Sequence, residues 1–163
     1  MLGAFFSSTI GKAISVFALS MVPVIELRGA IPMGFANDLP LWQTLLLACV
    51  GNMLPVPFII IFIRKLFAWL KKNPLFSRLI SWLEKHVMEK EHMLHKNTLM
   101  GLCILVAIPL PGTGAWTGAM LAGLLDMRLK EAVPVIALGV LIAAAIVCAV
   151  SYGVIGAVGV LGL

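Results

Sequence analysis

Charge is scarce in this sequence. Asp, Glu, Lys and Arg make up 12% of its 163 residues, about half the share usual in soluble domains, and the mean hydropathy is +1.09. That excludes an ordinary water-soluble globule and points to a membrane protein. Cysteine and histidine are also scarce, at three each. Cys49, Cys103 and Cys148 each lie within an apolar run, and no spacing pairs them with one another or with a histidine. They read as small buried hydrophobes, not as a disulfide or metal framework. His92 and His95 fall on one helix face near His86 and Glu91, but the stretch is polar and lacks further strong ligands, so no metal site is expected. At membrane depth there is no Ser/His/Asp set and no Cys/His pair, which argues against an intramembrane enzyme. No cofactor is expected. A basic leader with a cleavage site is likewise missing, and the N-terminal segment reads as retained.

What the sequence does have is apolar length. A spanning helix needs about 20 apolar residues, and residues 41–63 and 132–154 supply it. Residues 98–125 are uncharged, yet Pro109-Leu-Pro-Gly-Thr-Gly114 interrupts them with two prolines and two glycines, which cannot continue a helix. The arms left over, 98–108 and 115–125, are each about half a span. Half-length helices joined by a Gly/Pro turn describe a re-entrant hairpin, tolerated at membrane depth only where it packs in protein or faces water. Residues 9–36 share this design: an arm to Pro23, a turn through Glu26 and Gly29, and a short arm over 30–36. Pro23 precedes Pro109 by 86 positions and Gly51 precedes Gly139 by 88, as an internal repeat with a small indel would give.

The net charge of +5 does not imply nucleic acid, because eight of the twelve Lys and Arg fall between Arg64 and Lys96. This basic middle alternates with Leu75, Phe76, Leu79, Ile80 and Leu83, carries Trp69 and Trp82, and breaks at Asn73-Pro74. It reads as a pair of interfacial amphipathic helices on the cytoplasmic face. The loop 37–40, without Lys or Arg, then lies outside, and the loop 126–131, with Arg128 and Lys130, lies inside. The two halves therefore take opposite orientations, as in many secondary transporters. The expected fold is an all-α integral membrane protein, one domain over 1–163. Repeat A (about 9–63) and repeat B (about 98–154) each join a re-entrant hairpin to a transmembrane helix, linked by the connector 64–97.

Glu26 and Arg28 are the residues most in need of explanation. Charges at hydrocarbon depth are costly and mark ion or substrate pathways. Desolvation favours a neutral Glu26 and the adjacent cation favours an ionised one, so the carboxyl is suited to exchange protons. Arg28 keeps its charge and offers a planar fork of donors for phosphate or carboxylate. Around them, Gly29 lets the chain turn, and the backbone amides after Gly112 and Gly114 form a helix start that attracts anions, with the Thr113 and Thr117 hydroxyls beside it. In Gly51-Asn-Met-Leu-Pro-Val-Pro57 the prolines free the carbonyls of Gly51 and Met53, and Asn52 lies in the same turn. The small-residue rows Gly114/Gly118/Ala122 and Gly153/Gly156/Gly159/Gly162 serve close helix packing, within the fold or between protomers of a homo-oligomer.

Ile25-Glu-Leu-Arg-Gly-Ala-Ile-Pro32, Gly51-Asn-Met-Leu-Pro-Val-Pro-Phe58 and Ala107-Ile-Pro-Leu-Pro-Gly-Thr-Gly-Ala-Trp-Thr-Gly118 together resemble the small multidrug export protein family of bacteria and archaea. The resemblance runs from about residue 15 to residue 153. That family is similar in architecture to the DedA (VTT-domain) superfamily, with its paired re-entrant hairpins. The resemblance implies a multi-pass transporter of the prokaryotic cytoplasmic (inner) membrane. From the wider superfamily it implies flipping or scrambling of lipid-phosphate carriers driven by the proton-motive force. By position, Glu26 matches the acidic residue of the first hairpin, with Arg28, Gly29 and Pro32 around it; Pro109, Pro111, Gly112 and Gly114 match the second turn. The sequence departs from the superfamily in having no arginine in residues 110–116; the nearest, Arg128, lies in the following loop. The expected partners are membrane lipids, protons and a small or lipid-linked anionic substrate. The competing expectation is a non-transporting subunit that assembles or stabilises an envelope complex.

Overall fold

A computed structural model describes the backbone of residues 8–71, 98–110 and 112–161, with side chains for 8–70, 98–110 and 112–151. The connector 72–97, with its histidines and Trp82, and Pro111 lie outside the described residues, as do the side chains of the glycine row after residue 151. Every regular element among the described residues is helical.

Helix α1, Thr9–Ser20, starts where the Ser8 hydroxyl accepts the Gly11 amide at 3.1 Å. Such a cap satisfies one of the free donors at a helix start. The helix tightens at Met21 and Val22, whose N–H groups bond three residues back, and stops before Pro23. Helix α2, Glu26–Ala36, follows. Helices α3, Leu41–Met53, and α4, Val56–Lys71, run almost as one and are divided at Leu54-Pro55. Pro55 and Pro57 cannot donate to the carbonyls of Gly51 and Met53, which is reason enough for the break. After α5, Thr98–Ala107, come α6, Ala115–Leu124, and α7, Leu129–Leu161.

The two apolar stretches long enough to span are Leu41–Leu70, of mean hydropathy 2.4, and Leu129–Ser151, at 2.9. The arms α1, α2, α5 and α6 have 10 to 12 residues, or ~15–18 Å at the helical rise, about half of a ~30 Å hydrocarbon core. Most of the surface of both spans is exposed while being strongly apolar; Phe58, Phe62, Trp42 and Trp69 all point outward. A patch of this size suits lipid, not water.

Three expectations about element bounds change: α7 begins at Leu129 and not at 132, so Lys130 and Glu131 of the expected loop 126–131 are helical, and it runs on to Leu161. The first turn is shorter than anticipated: α2 begins at Glu26, so Arg28 and Gly29 are helical, and Gly29 serves close packing against Ile25 instead of a chain reversal. The first span also runs past residue 63, carrying Arg64 and Lys65 on α4 and not in a connector.

The ends of α2 and α6 close in the same manner, 88 positions apart. Asp38 (φ 58°) and Asp126 (φ 49°) take the left-handed conformation after each helix. The amide of Leu39 reaches back to the Gly34 carbonyl, as that of Met127 does to Ala122, and both of these apolar residues are buried. This is the Schellman closure with its hydrophobic contact. A cation secures each end: Lys12 Nζ donates to the Asn37 carbonyl at 2.8 Å, and Arg64 donates to the Met127 carbonyl.

Packing crosses between the halves. Helix α2 lies against α7, and α6 against α4. The core between them is aliphatic, built on Val16, Ile31, Ile60, Leu102, Val106 and Ile136. Close approach is made by glycines: a Cβ at Gly51 would run into Ser20 and the Phe17 carbonyl, and one at Gly139 into Val106 and the Cys103 carbonyl.

Candidate functional site

The two hairpin turns meet. Glu26 opens α2 at φ 45°, a conformation that is costly for a side chain with a Cβ and is found at constrained sites. The residue is 4% exposed, and its carboxylate points out of its own hairpin to the start of α6. There Oε1 accepts the Trp116 amide at 3.3 Å, and the Ala115 amide faces the same group. Helix α6 has no capping side chain of its own, since its N-cap is Gly114. Glu26 supplies that function from 90 positions away, with its charge at the positive end of the helix. The approach is so close that a Cβ on Gly114 would overlap the carboxylate, and Gly114 holds φ 133°. Both facts require glycine there.

Arg28, two residues on, donates from its guanidinium to the Thr113 carbonyl at 2.7 Å. Trp116 Nε1 donates to the Met21 carbonyl at 3.1 Å, tying the first turn of α6 to the end of α1. The first hairpin thus offers a carboxylate to the amides of the second and a guanidinium to its carbonyl. The second turn is held from within as well. The Thr113 hydroxyl donates to the Ile108 carbonyl at 2.6 Å and accepts the Leu110 amide at 3.1 Å, and Thr117 donates to Gly112 at 2.8 Å. These bonds satisfy backbone groups that lipid could not.

A cavity of about 10 Å³, room for roughly one water molecule, lies where the turns meet. Glu26, Arg28, Asn52, Thr113 and Gly114 line its polar side; Leu27, Val106, Pro109, Val140 and Val147 are among the residues of its apolar wall. Asn52 is 1% exposed, and neither its Nδ2 nor its Oδ1 has a hydrogen-bond partner among the described residues. An unpaired buried amide costs on the order of 1–3 kcal/mol, so a partner for it is required.

Six of the ten residues singled out from the sequence therefore line one space. Gly29 and Pro32 belong to α2 but do not line it, Gly112 (φ 87°) is exposed in the second turn, and Pro111 lies outside the described residues. Arg128, the nearest arginine after the second turn, is exposed at the start of α7 and does not line the cavity. Sequence reasoning missed Trp116, whose two N–H groups both bridge the hairpins; a tryptophan two residues after a Gly-Thr-Gly turn was the available signal. Beside the cavity an apolar groove of about 460 Å³ runs between α3 and α7, lined by Cys49, Met53, Pro57, Val133 and Leu141, and Val140 lines both spaces.

No curated protein and no solved structure matches the chain. Residues 26–146 match the family described as "Putative small multi-drug export protein", a stretch that contains the Glu26–Arg28 pair, Asn52 and the second turn. With most of its length matched and its apolar helices long enough to span, the chain belongs to that family of membrane export proteins.

Proposed function

We propose that the chain is a proton-coupled transporter or flippase whose working site is the cavity between the two hairpin turns, and that its cargo is a small or lipid-linked anion. The observation that carries the proposal is the reciprocal bonding across the turns: Glu26 to the amides of α6, and Arg28 to the Thr113 carbonyl. A carboxylate held by a helix start occupies the place an incoming anion would take. Protonation of Glu26 weakens its hold on those amides and leaves them, with Arg28, to the anion. Transfer of the proton and binding of the cargo are then alternatives at one place, which is what exchange requires.

The pairs 38/126, 39/127 and 51/139 support an inverted repeat, since each half ends its second arm in the same closure and packs that arm on the other half's span. In this reading the unit is one membrane domain, and access alternates as one hairpin moves against the other. A space of about 10 Å³ holds one water-sized species, so a larger cargo enters only when the turns part. The apolar groove beside it, which shares Val140 with the cavity lining, suits an acyl or prenyl chain attached to the anion.

The test is reconstitution into liposomes with an imposed pH gradient and three labelled cargoes in parallel: a polyprenyl phosphate, a phospholipid and a cationic drug. Movement of the polyprenyl phosphate, lost in Glu26→Gln, supports the proposal. Movement of the drug alone rejects the anion. Movement of none of them returns the assembly-subunit reading to first place.

A further inference from the structure

Among the described residues that line the cavity, Asn52 is the one with fully buried side-chain polar atoms left unpaired. It sits at the end of α3, immediately before the Leu54-Pro55 break, and both polar atoms of its amide lack partners among the described residues. It is only 1% exposed and lines the same space as Glu26 and Arg28. A neutral amide carries a donor and an acceptor together, so its natural partner is a molecule that is both.

Size and charge narrow that partner further. The cavity admits one water-sized species. A metal cation would face the guanidinium of Arg28 and the positive end of α6, while a small anion would face the Glu26 carboxylate. Water is the species that suits all of them. We infer that the cavity holds one ordered water, which accepts from Asn52 Nδ2 and donates one hydrogen to Asn52 Oδ1 and the other to the Glu26 carboxylate. Asn52 is then a positioning residue for the proton on Glu26, acting through this water. Pro109 and Thr113 of the lining are half-buried and Asn52 is fully buried, so the water extends the polar path from Glu26 to the end of α3, beside its break from α4. The relay role rests on the transport reading above; the bound water does not.

Gly51-Asn52 is the one Gly-Asn pair in the chain, so full-length protein made with carbonyl-13C glycine and 13C,15N asparagine identifies Asn52 without any mutation. In lipid vesicles, solid-state NMR should transfer magnetisation from water to the Asn52 Nδ2 protons. The Nδ2 resonance should also shift in Glu26→Gln, where an amide replaces the group to which the water donates. Should that variant fail to fold, Glu26→Asp makes the same test by withdrawing the carboxylate by one methylene. Absence of the water transfer overturns the site, and transfer without a shift in the Glu26 variant overturns the bridge. Neither readout depends on transport, so a chain that moves nothing in the liposome assay still shows the water if it is there.

Discussion

Glu26 starts a helix in a left-handed conformation, caps a second helix, and walls a cavity. Each of the first two roles constrains the other, because the unusual φ is what turns the carboxylate toward Gly114. A substitution that keeps the shape while removing the titrating group separates the roles. Glu26→Gln retains an acceptor oxygen for the Trp116 amide and should change stability by less than about 1 kcal/mol, while proton-coupled flux in liposomes falls to background. Arg28→Lys should lose most of the flux as well, since a point charge on a shorter stem does not reproduce the bond to Thr113. Normal flux in both variants removes the functional meaning given to the pair. Gly114→Ala should be far more costly to the fold. Its Cβ meets the Glu26 carboxylate and its φ of 133° is closed to alanine, so a loss of about 2–4 kcal/mol is expected in thermal denaturation. An unchanged melting temperature contradicts the capping geometry.

At the scale of elements, cations hold the C-terminal ends of both inner arms. Arg64 bonds the Met127 carbonyl and also pairs with Asp126 at 3.0 Å. Asp126 is 86% exposed, and a pair so open to solvent is worth about 0.5 kcal/mol or less. The bond to the carbonyl at the buried helix end matters more. Asp126→Asn should therefore leave stability nearly unchanged, whereas Arg64→Met should cost about 1–2 kcal/mol, measured by denaturation in the same detergent. Equal losses in the two variants would assign the stabilisation to the ion pair instead. The sequence announced the arms themselves through their half-span length and their Gly/Pro interruptions, and Glu26 and Arg28 through charge within an apolar run. It did not announce that α2 begins at Glu26, because no cap residue stands there: the Glu26 amide continues from the Val22 carbonyl and the Gly29 amide from Ile25, without a side-chain signal. Nor did it place Arg64 on α4, because the adjacent cations Arg64 and Lys65 read as the start of a basic connector, although neither is a helix breaker and the helix runs through both. Trp116, which bonds Glu26 across 90 positions, and the cavity wall at Val140 depend on which distant helices touch, which spacing along the chain does not encode.

At the scale of the whole molecule, the account requires the two halves to enter the membrane from opposite sides and their turns to meet inside it. Asp38 and Arg128 are both exposed in the loops after the inner arms. In a background without the native cysteines, single cysteines at 38 and 128 should react with an impermeant thiol reagent from opposite faces of the membrane, 38 from outside and 128 from the cytoplasm. Labelling from one face removes the inverted orientation but leaves the contact between turns standing. That contact is the centre of the account, and it is tested most directly by cross-linking cysteines placed at 27 and 113, both lining the cavity, in native membranes. An intramolecular link is expected, by oxidation if the Cα atoms lie within about 7 Å or otherwise by a short bis-thiol reagent. No link with any reagent, or a link found only between protomers, contradicts a single site built from both hairpins of one chain.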